Sequence, residues 1–90
     1  MIAKIIDAKE YETKPERKCI KLTVLDDYEH ENYIFIAMEA LQLIKKLSKE
    51  THIPLILKSN QFISLNLNKL KNKLISVRED TYQNHKVLVY

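Results

Sequence analysis

The chain has 90 residues, of which 46% are hydrophobic and 30% are charged, a balance typical of a globular protein with one modest core. It contains no glycine. Phosphate-binding loops, dinucleotide turns, nucleophile elbows and calcium loops are therefore excluded, because each needs a glycine at positive φ or close to its ligand. We expect one domain over residues 1–90 whose function comes from a surface.

The expected setting is the cytoplasm. Cys19 is the single cysteine, so no internal disulfide can form and a reducing compartment is favoured. No apolar run approaches the roughly 20 residues needed to cross a bilayer, and the first residues lack the features of a signal peptide. No membrane partner is expected.

Charge is distributed unevenly. The net charge is +3, but residues 1–44 carry six basic and nine acidic side chains, whereas residues 45–90 carry nine basic and three acidic ones. No acidic residue occurs from Thr51 to Arg78. This asymmetry indicates a polyanionic partner, although a solvated lysine-rich surface would give the same pattern.

Three strand patterns come first along the chain. The segment from Ile2 to Tyr11 predicts a strand with Ile2, Ile6 and Ala8 on one face and Ile5 on the other, as in a long bent strand of a closed barrel. After a turn around Pro15, strict alternation from Lys18 to Asp26 predicts the second strand. The third covers Asn32 to Ala37 and is apolar on both faces.

The period then changes. Apolar residues from Ala37 to Leu47 recur at spacings of three and four, which predicts an amphipathic helix of about four turns that ends before Pro54. We expect its apolar face, chiefly Leu41, Ile44 and Leu47, to plug one end of a barrel.

Strand patterns resume after the helix. They cover Ile53 to Lys58 and Phe62 to Asn68, across a turn in which Asn60 suits positive φ. A basic connector follows, from Lys69 to Lys73. We expect Leu74 to Arg78 and Lys86 to Tyr90 to form a terminal strand pair.

This order of elements, with a helix after three strands, is that of the OB-fold, a small five-stranded Greek-key barrel. The stretch from Asn32 to Leu67 (NYIFIAMEALQLIKKLSKETHIPLILKSNQFISLNL) resembles the third strand, helix and following hairpin of small OB-fold single-stranded-DNA-binding proteins of phages and mobile elements. The resemblance is one of pattern over roughly half the chain. It implies a mainly β fold with one helix (α+β), an OB-like Greek-key barrel with an added C-terminal strand pair, and a role in replication or recombination.

The second and third strands form the usual nucleic-acid face of an OB barrel. If the isoleucines of both strands fill the core, the opposite face presents Lys21, Thr23, Tyr33 and Phe35. Bases stack on aromatic rings while lysines contact phosphates. Because both faces of the third strand are apolar, the pattern also allows Tyr33 and Phe35 to be core residues.

A second candidate surface is the basic group around the later strands. Its members are Lys58, Lys69, Lys71, Lys73 and Arg78, with Phe62 nearby as a further ring. Such a group would attract a polyanion without sequence preference. An exposed solubilising loop is the alternative interpretation.

No catalytic residue, metal site or cofactor is predicted. The segment from Asp26 to Glu31 concentrates four carboxylates and His30, but it lacks the glycine of a calcium loop and a second histidine at helical spacing, and a charged connector is favoured. We therefore predict a non-catalytic single-stranded nucleic-acid-binding protein, with DNA favoured over RNA and a replication protein as a further partner. The alternative is a protein-interaction module or inhibitor of a host factor, whose free edge at Lys86 to Tyr90 could also pair in a homodimer.

Overall fold

A computed structural model describes residues 1–13, 17–59 and 61–90. These residues form a mainly β fold with one α-helix, as the sequence predicts. The elements in chain order are β1 (Ile2–Thr13), β2 (Arg17–Leu25), β3 (Glu31–Ala37), α1 (Leu41–Thr51), β4 (Leu55–Lys58), β5 (Gln61–Leu65), the 3₁₀ helix η1 (Leu67–Leu70), β6 (Leu74–Ser76), β7 (Arg78–Tyr82) and β8 (His85–Val89).

The central element is a four-stranded antiparallel sheet in the order β3-β2-β1-β6, which curls into a half-barrel. Strands β4 and β5 form one separate hairpin, and β7 and β8 form another. Strand β8 runs close to β3 without joining its hydrogen-bonded ladder in the described part of the chain. The concave side of the half-barrel encloses the core, and its convex side is called the outer face below.

The register of β2 with β3 decides which side of β3 is buried. Ile36 lies opposite Ile20, and Ile34 lies opposite Leu22, and all four side chains are buried. Opposed residues of an antiparallel pair share a face, so the clean alternation of β2 imposes its inward set on β3. Tyr33 therefore points outward with Phe35, and the alternative that placed these two rings in the core is wrong.

A β-bulge in β1 corrects the face assignment that the sequence pattern gave. Ile5 pairs with Val24 and Asp7 pairs with Thr23, which leaves Ile6 without a partner. The extra residue reverses which side chains point inward, and it bends the strand. Ala3 and Ile5 are buried before the bulge and Ala8 after it, whereas Ile2 is exposed. The apolar character of both faces thus reflects one strand that changes face.

Helix α1 is shorter than predicted. Strand β3 continues to Ala37, a turn follows, and the helix begins at Leu41 and spans 11 residues, or about three turns. Ile44 and Leu47 are fully buried in the core, and the helix lies against β5 and β6. It ends at His52, whose φ of 59° reverses the chain before Pro54.

The last strands pair differently from the prediction. Ile75 of β6 pairs with Ala3 of β1, and β7 pairs with β8 across a two-residue turn. The turn residues Gln83 and Asn84 have φ values of 51° and 63°, the geometry of a type I′ hairpin turn. The predicted turns at Pro15 and Asn60 lie outside the described residues.

Candidate nucleic-acid interface

Three aromatic rings surround one lysine on the outer face. The Nζ atom of Lys21 lies 4.4 Å from the centre of the Tyr33 ring and 5.6 Å from that of Tyr11. The rings of Tyr11 and Phe35 approach within 5.6 Å, centre to centre, at an angle of 57°. Tyr33 and Phe35 are 54% and 52% exposed, so these rings have faces open to a ligand. We call Tyr11, Lys21, Tyr33 and Phe35 the aromatic face.

Small side chains in β2 and β3 allow this arrangement. Cys19 pairs with Tyr11 on one side and with Ala37 on the other. Neither small side chain fills the space above β2, so the Tyr11 and Phe35 rings can lean towards each other across that strand. Cys19 is buried there, its thiol donates to the Tyr11 carbonyl oxygen at 3.4 Å, and burial raises the pKa of the thiol. A protonated, buried thiol is a poor nucleophile, so Cys19 serves as packing.

Tyr11 is the member of the aromatic face that the sequence prediction missed. Simple alternation along β1 places Tyr11 on the same side as Ile5, which is buried. The bulge at Ile6 breaks this alternation and turns Tyr11 outward. Without knowledge of the bulge, the pattern cannot assign Tyr11 to the same surface as Tyr33.

The predicted residue Thr23 also lies on the outer face. It pairs with Tyr33 on β3 and with Asp7 on β1, so the three side chains form one row across the sheet. A neighbouring row contains Lys9, Lys21 and Phe35. All four outward residues predicted for the second and third strands are thus neighbours on one surface.

The loop that carries three of the predicted lysines borders this surface. The Asn72 N–H donates to the Ile5 carbonyl oxygen at 2.7 Å, and the Ile5 N–H donates to the Lys73 carbonyl oxygen at 2.8 Å. These bonds hold the loop beside the bulge of β1. The ammonium of Lys71 then lies 4.0 Å from the carboxylate of Asp7, which belongs to the outer face.

The remaining predicted site residues are not brought to the aromatic face. Lys58 ends β4 in a separate hairpin, and Arg78 begins β7 beside a groove lined in part by Lys46 and Tyr90. Lys69 is an exposed residue of η1 in the loop region next to Lys71. Phe62 belongs to β5, but its side chain lies outside the described part of the structure.

The acidic segment between β2 and β3 is a turn held by one of its own carboxylates. The Oδ1 atom of Asp26 accepts the Tyr28 N–H at 2.8 Å and the His30 N–H at 2.9 Å. The His30 backbone bond, together with the Tyr28 bond and a side-chain bond from Asn32, lowers the pKa of Asp26. Within the described residues, no group of three or more His, Cys, Asp or Glu side chains is arranged to hold a metal ion. The segment acts as a connector, as predicted.

An apolar groove of about 280 Å³ separates β3 from β8. It is lined by Tyr33, Ile34, Phe35, Ile36, Leu43, Leu88, Val89 and Tyr90. The two exposed rings of β3 therefore border both the outer face and this groove.

The C-terminal residue is fixed to α1 behind the groove. The hydroxyl of Tyr90 donates to the Glu50 carboxylate at 2.8 Å, and the Ser76 N–H donates to the same carboxylate at 2.9 Å. Lys46 places its ammonium 4.2 Å from the centre of the Tyr90 ring. Burial alone would raise the pKa of Glu50, but these hydrogen bonds and the nearby Lys46 lower it. This contact anchors the β7–β8 hairpin to the helix.

Comparison with protein-family models and with curated proteins gave no match to this chain. The geometry described above is therefore the basis for the functional argument. Across residues 1–13, 17–59 and 61–90, no helix is both long and apolar enough to span a membrane.

Proposed function

We propose that this chain is a non-catalytic protein that binds single-stranded nucleic acid, with DNA favoured, on its aromatic face. The observation that carries the proposal is the set of exposed rings around Lys21 on a continuous sheet surface. Exposed aromatic rings accept any base by stacking, at roughly 1–3 kcal/mol per base, and neighbouring ammonium groups attract the phosphates. A duplex keeps its bases stacked on one another, so single strands are the preferred ligand.

The distribution of the rings favours binding over a purely structural role. Tyr33 and Phe35 are each about half exposed, although β3 also offers isoleucines that fill the core completely. Large rings left open to water on one surface, close to cations, are typical of an interaction site. The loop that contains Lys71 extends the positive charge along the edge of the same surface.

An OB-like Greek-key arrangement is the finer fold that we propose. Its support is the strand order β6-β1-β2-β3, in which a strand returns after a long connection to lie beside the first of three consecutive strands. The position of β8 next to β3 is where a further strand would close such a barrel. In this interpretation α1 covers one end of the barrel. The resemblance of the central segment to phage and mobile-element proteins supports a role in replication or recombination.

The proposal is tested by fluorescence anisotropy with labelled oligo-dT, single-stranded RNA of equal length and duplex DNA at two salt concentrations. We expect the single strands to bind more tightly than the duplex, and binding to weaken steeply as salt rises. Equal binding to duplex and single strands, or no binding at low salt, would refute the proposal.

A protein-interaction module is the second candidate, and the groove between β3 and β8 favours it. The groove is mostly apolar, and the side of β8 that faces β3 has no ladder partner in the described structure. An extended segment of a partner, such as a host factor or a second copy of this chain, could pair with such an edge. Binding of this kind need not weaken with salt, so the same titration separates the two candidates.

A further inference from the structure

A pair of lysines lies at the centre of the outer face without an acidic neighbour. Lys9 of β1 and Lys21 of β2 are direct cross-strand partners, so their side chains share a face with Cβ atoms roughly 4.5–5.5 Å apart. Like charges in this position destabilise a sheet. Within residues 1–13, 17–59 and 61–90, no carboxylate oxygen lies within 4.0 Å of either ammonium. The sheet thus holds two unneutralised cations side by side.

The carboxylates that share this face are directed elsewhere or lie further along it. Asp7 is two residues from Lys9 on β1, but the ammonium of Lys71 approaches it at 4.0 Å. Glu31 pairs with Leu25, four residues along β2 from Lys21. The charge of the lysine pair is therefore available to an anion from solution.

Aromatic rings lie on either side of this charge. The Lys21 ammonium is within 4.4 Å of the Tyr33 ring centre and within 5.6 Å of the Tyr11 ring centre, and Tyr11 in turn contacts Phe35. An ammonium has three N–H donors, so Lys21 can contact a ring and still donate to a phosphate oxygen. A phosphate at the lysine pair would have its two attached nucleosides on opposite sides, each within reach of a ring.

We propose that Lys9 and Lys21 form a phosphate subsite between two stacking positions, Tyr33 on one side and Tyr11 with Phe35 on the other. The smallest ligand that uses the whole site is then a dinucleotide with its bridging phosphate on the lysine pair. This inference rests on the proposed function and specifies the ligand of that same surface. It also gives Lys9, which no sequence pattern selected, a direct role in binding.

The test compares two dinucleotides that differ only in charge. Quenching of tyrosine fluorescence reports binding of d(TpT), of its uncharged methylphosphonate analogue and of inorganic phosphate to the wild-type chain and to Lys9→Gln, Lys21→Gln and the double variant. Lys45→Gln, on the exposed side of α1, is the control with the same loss of charge. We expect the wild-type chain and the control to bind d(TpT) about tenfold more tightly than the analogue.

The variants separate a phosphate subsite from general attraction. If both lysines bind one phosphate, either single substitution should remove most of the discrimination between d(TpT) and the analogue, and the double variant should lose little more. Melting temperature checks folding, and Lys9→Gln should melt no lower than the wild-type chain because it removes a repulsive pair.

Three results would overturn the inference. Undiminished discrimination in the double variant, with oligo-dT still bound, would reject the subsite and leave the proposed function standing. Binding of inorganic phosphate as tight as d(TpT) would indicate an anion site without stacking. Absence of any oligo-dT binding by the wild-type chain would reject the proposed function together with the subsite.

Discussion

Two lysine–tyrosine contacts in this protein have almost the same geometry and opposite surroundings. Lys46 lies 4.2 Å from the Tyr90 ring centre, and Lys21 lies 4.4 Å from that of Tyr33. At the C-terminus, the Tyr90 hydroxyl and Lys46 both interact with Glu50, and Tyr90 is half-buried. At the outer face, Tyr33 is 54% exposed and the described residues place no carboxylate next to Lys21.

The difference shows that a residue type does not by itself indicate a role. A cation and a ring that share a carboxylate are satisfied within the fold, so their contribution is to stability. A cation and a ring without one retain the capacity to bind charge and stack bases. The predictions below test this division between an anchoring contact and a binding contact.

The largest expected effect is on ligand affinity at the outer face. Tyr33→Ala should weaken oligo-dT binding by roughly 1–3 kcal/mol, because one base loses its stacking partner. The melting temperature should change little, since the ring is exposed in the free protein. Anisotropy titration and thermal denaturation on the same preparation provide both measurements.

A matched control for that variant is Tyr28→Ala in the connector between β2 and β3. Tyr28 is 77% exposed but lies outside the aromatic face, so its removal should leave affinity unchanged. A loss of stability in Tyr33→Ala with unchanged affinity of the folded molecules would contradict the division and favour the protein-interaction candidate.

The second prediction concerns stability at the C-terminal contact. Tyr90→Phe keeps the ring under Lys46 but removes the hydrogen bond to Glu50, and it should lower the free energy of unfolding by about 1–2 kcal/mol. Oligo-dT affinity should not change. Urea denaturation measures the stability, and Tyr82→Phe, an exposed residue of β7, serves as the control. A weakened affinity without a change in stability would mean that the two contacts had been assigned the wrong way round.

The alternation of β2 was sufficient to predict the inward side of the sheet. Ile20, Leu22 and Val24 are all buried, as expected. The pattern of β3 was ambiguous because both of its faces are apolar, and the ambiguity is resolved by the cross-strand register, which depends on the partner strand. The predicted neighbours Thr23 and Tyr33 are accordingly found together.

Other features depend on interactions that a local pattern does not contain. Tyr11 was missed because a single bulge at Ile6 reverses the faces of β1. The β7–β8 hairpin was missed because β7 has no buried residue and therefore no apolar alternation to detect. Its turn needs positive φ at two positions, and without glycine those positions hold Gln83 and Asn84, of which only Asn84 is a usual indicator.

The third prediction tests how far the binding surface extends beyond the rings. Replacing Lys69, Lys71 and Lys73 together with glutamine should weaken oligo-dT binding and flatten its dependence on salt by up to about 2 logarithmic units, or roughly 0.7 for each lost phosphate contact on a single strand. Lys71 should contribute most, since it borders the outer face and also neutralises Asp7.

The control for that triple variant replaces Lys45, Lys49 and Lys86, which are exposed residues of α1 and β8, with glutamine. Both variants lose the same charge, so any difference between their salt slopes reports position. Identical slopes would show that the loop lysines only solvate the surface.

The smallest expected effect is the pH dependence of the C-terminal contact. The folded-state pKa of Glu50 lies below its ordinary value of 4.5, so its contribution to stability is complete above pH 4.5 and is lost as pH falls through the folded-state pKa. Burial and the adjacent Glu50 raise the pKa of Tyr90 above its ordinary value of 10.0. Its contribution is therefore complete below pH 10.0 and is lost as pH rises towards the folded-state pKa.

Urea denaturation across this range should separate the two groups by variant. Glu50→Gln removes the carboxylate, so it should reduce the loss of stability below pH 4.5 that the wild-type chain shows. Tyr90→Phe removes the phenol and should reduce the loss above pH 10.0. Other carboxylates, Asp26 among them, also gain protons in acid, so the difference between variant and wild type carries the information. Tyr33→Phe provides the decisive comparison, because an exposed phenol outside the anchor should leave the alkaline limb unchanged. If it altered that limb as much as Tyr90→Phe, the two lysine–tyrosine contacts would not differ in their coupling to the fold.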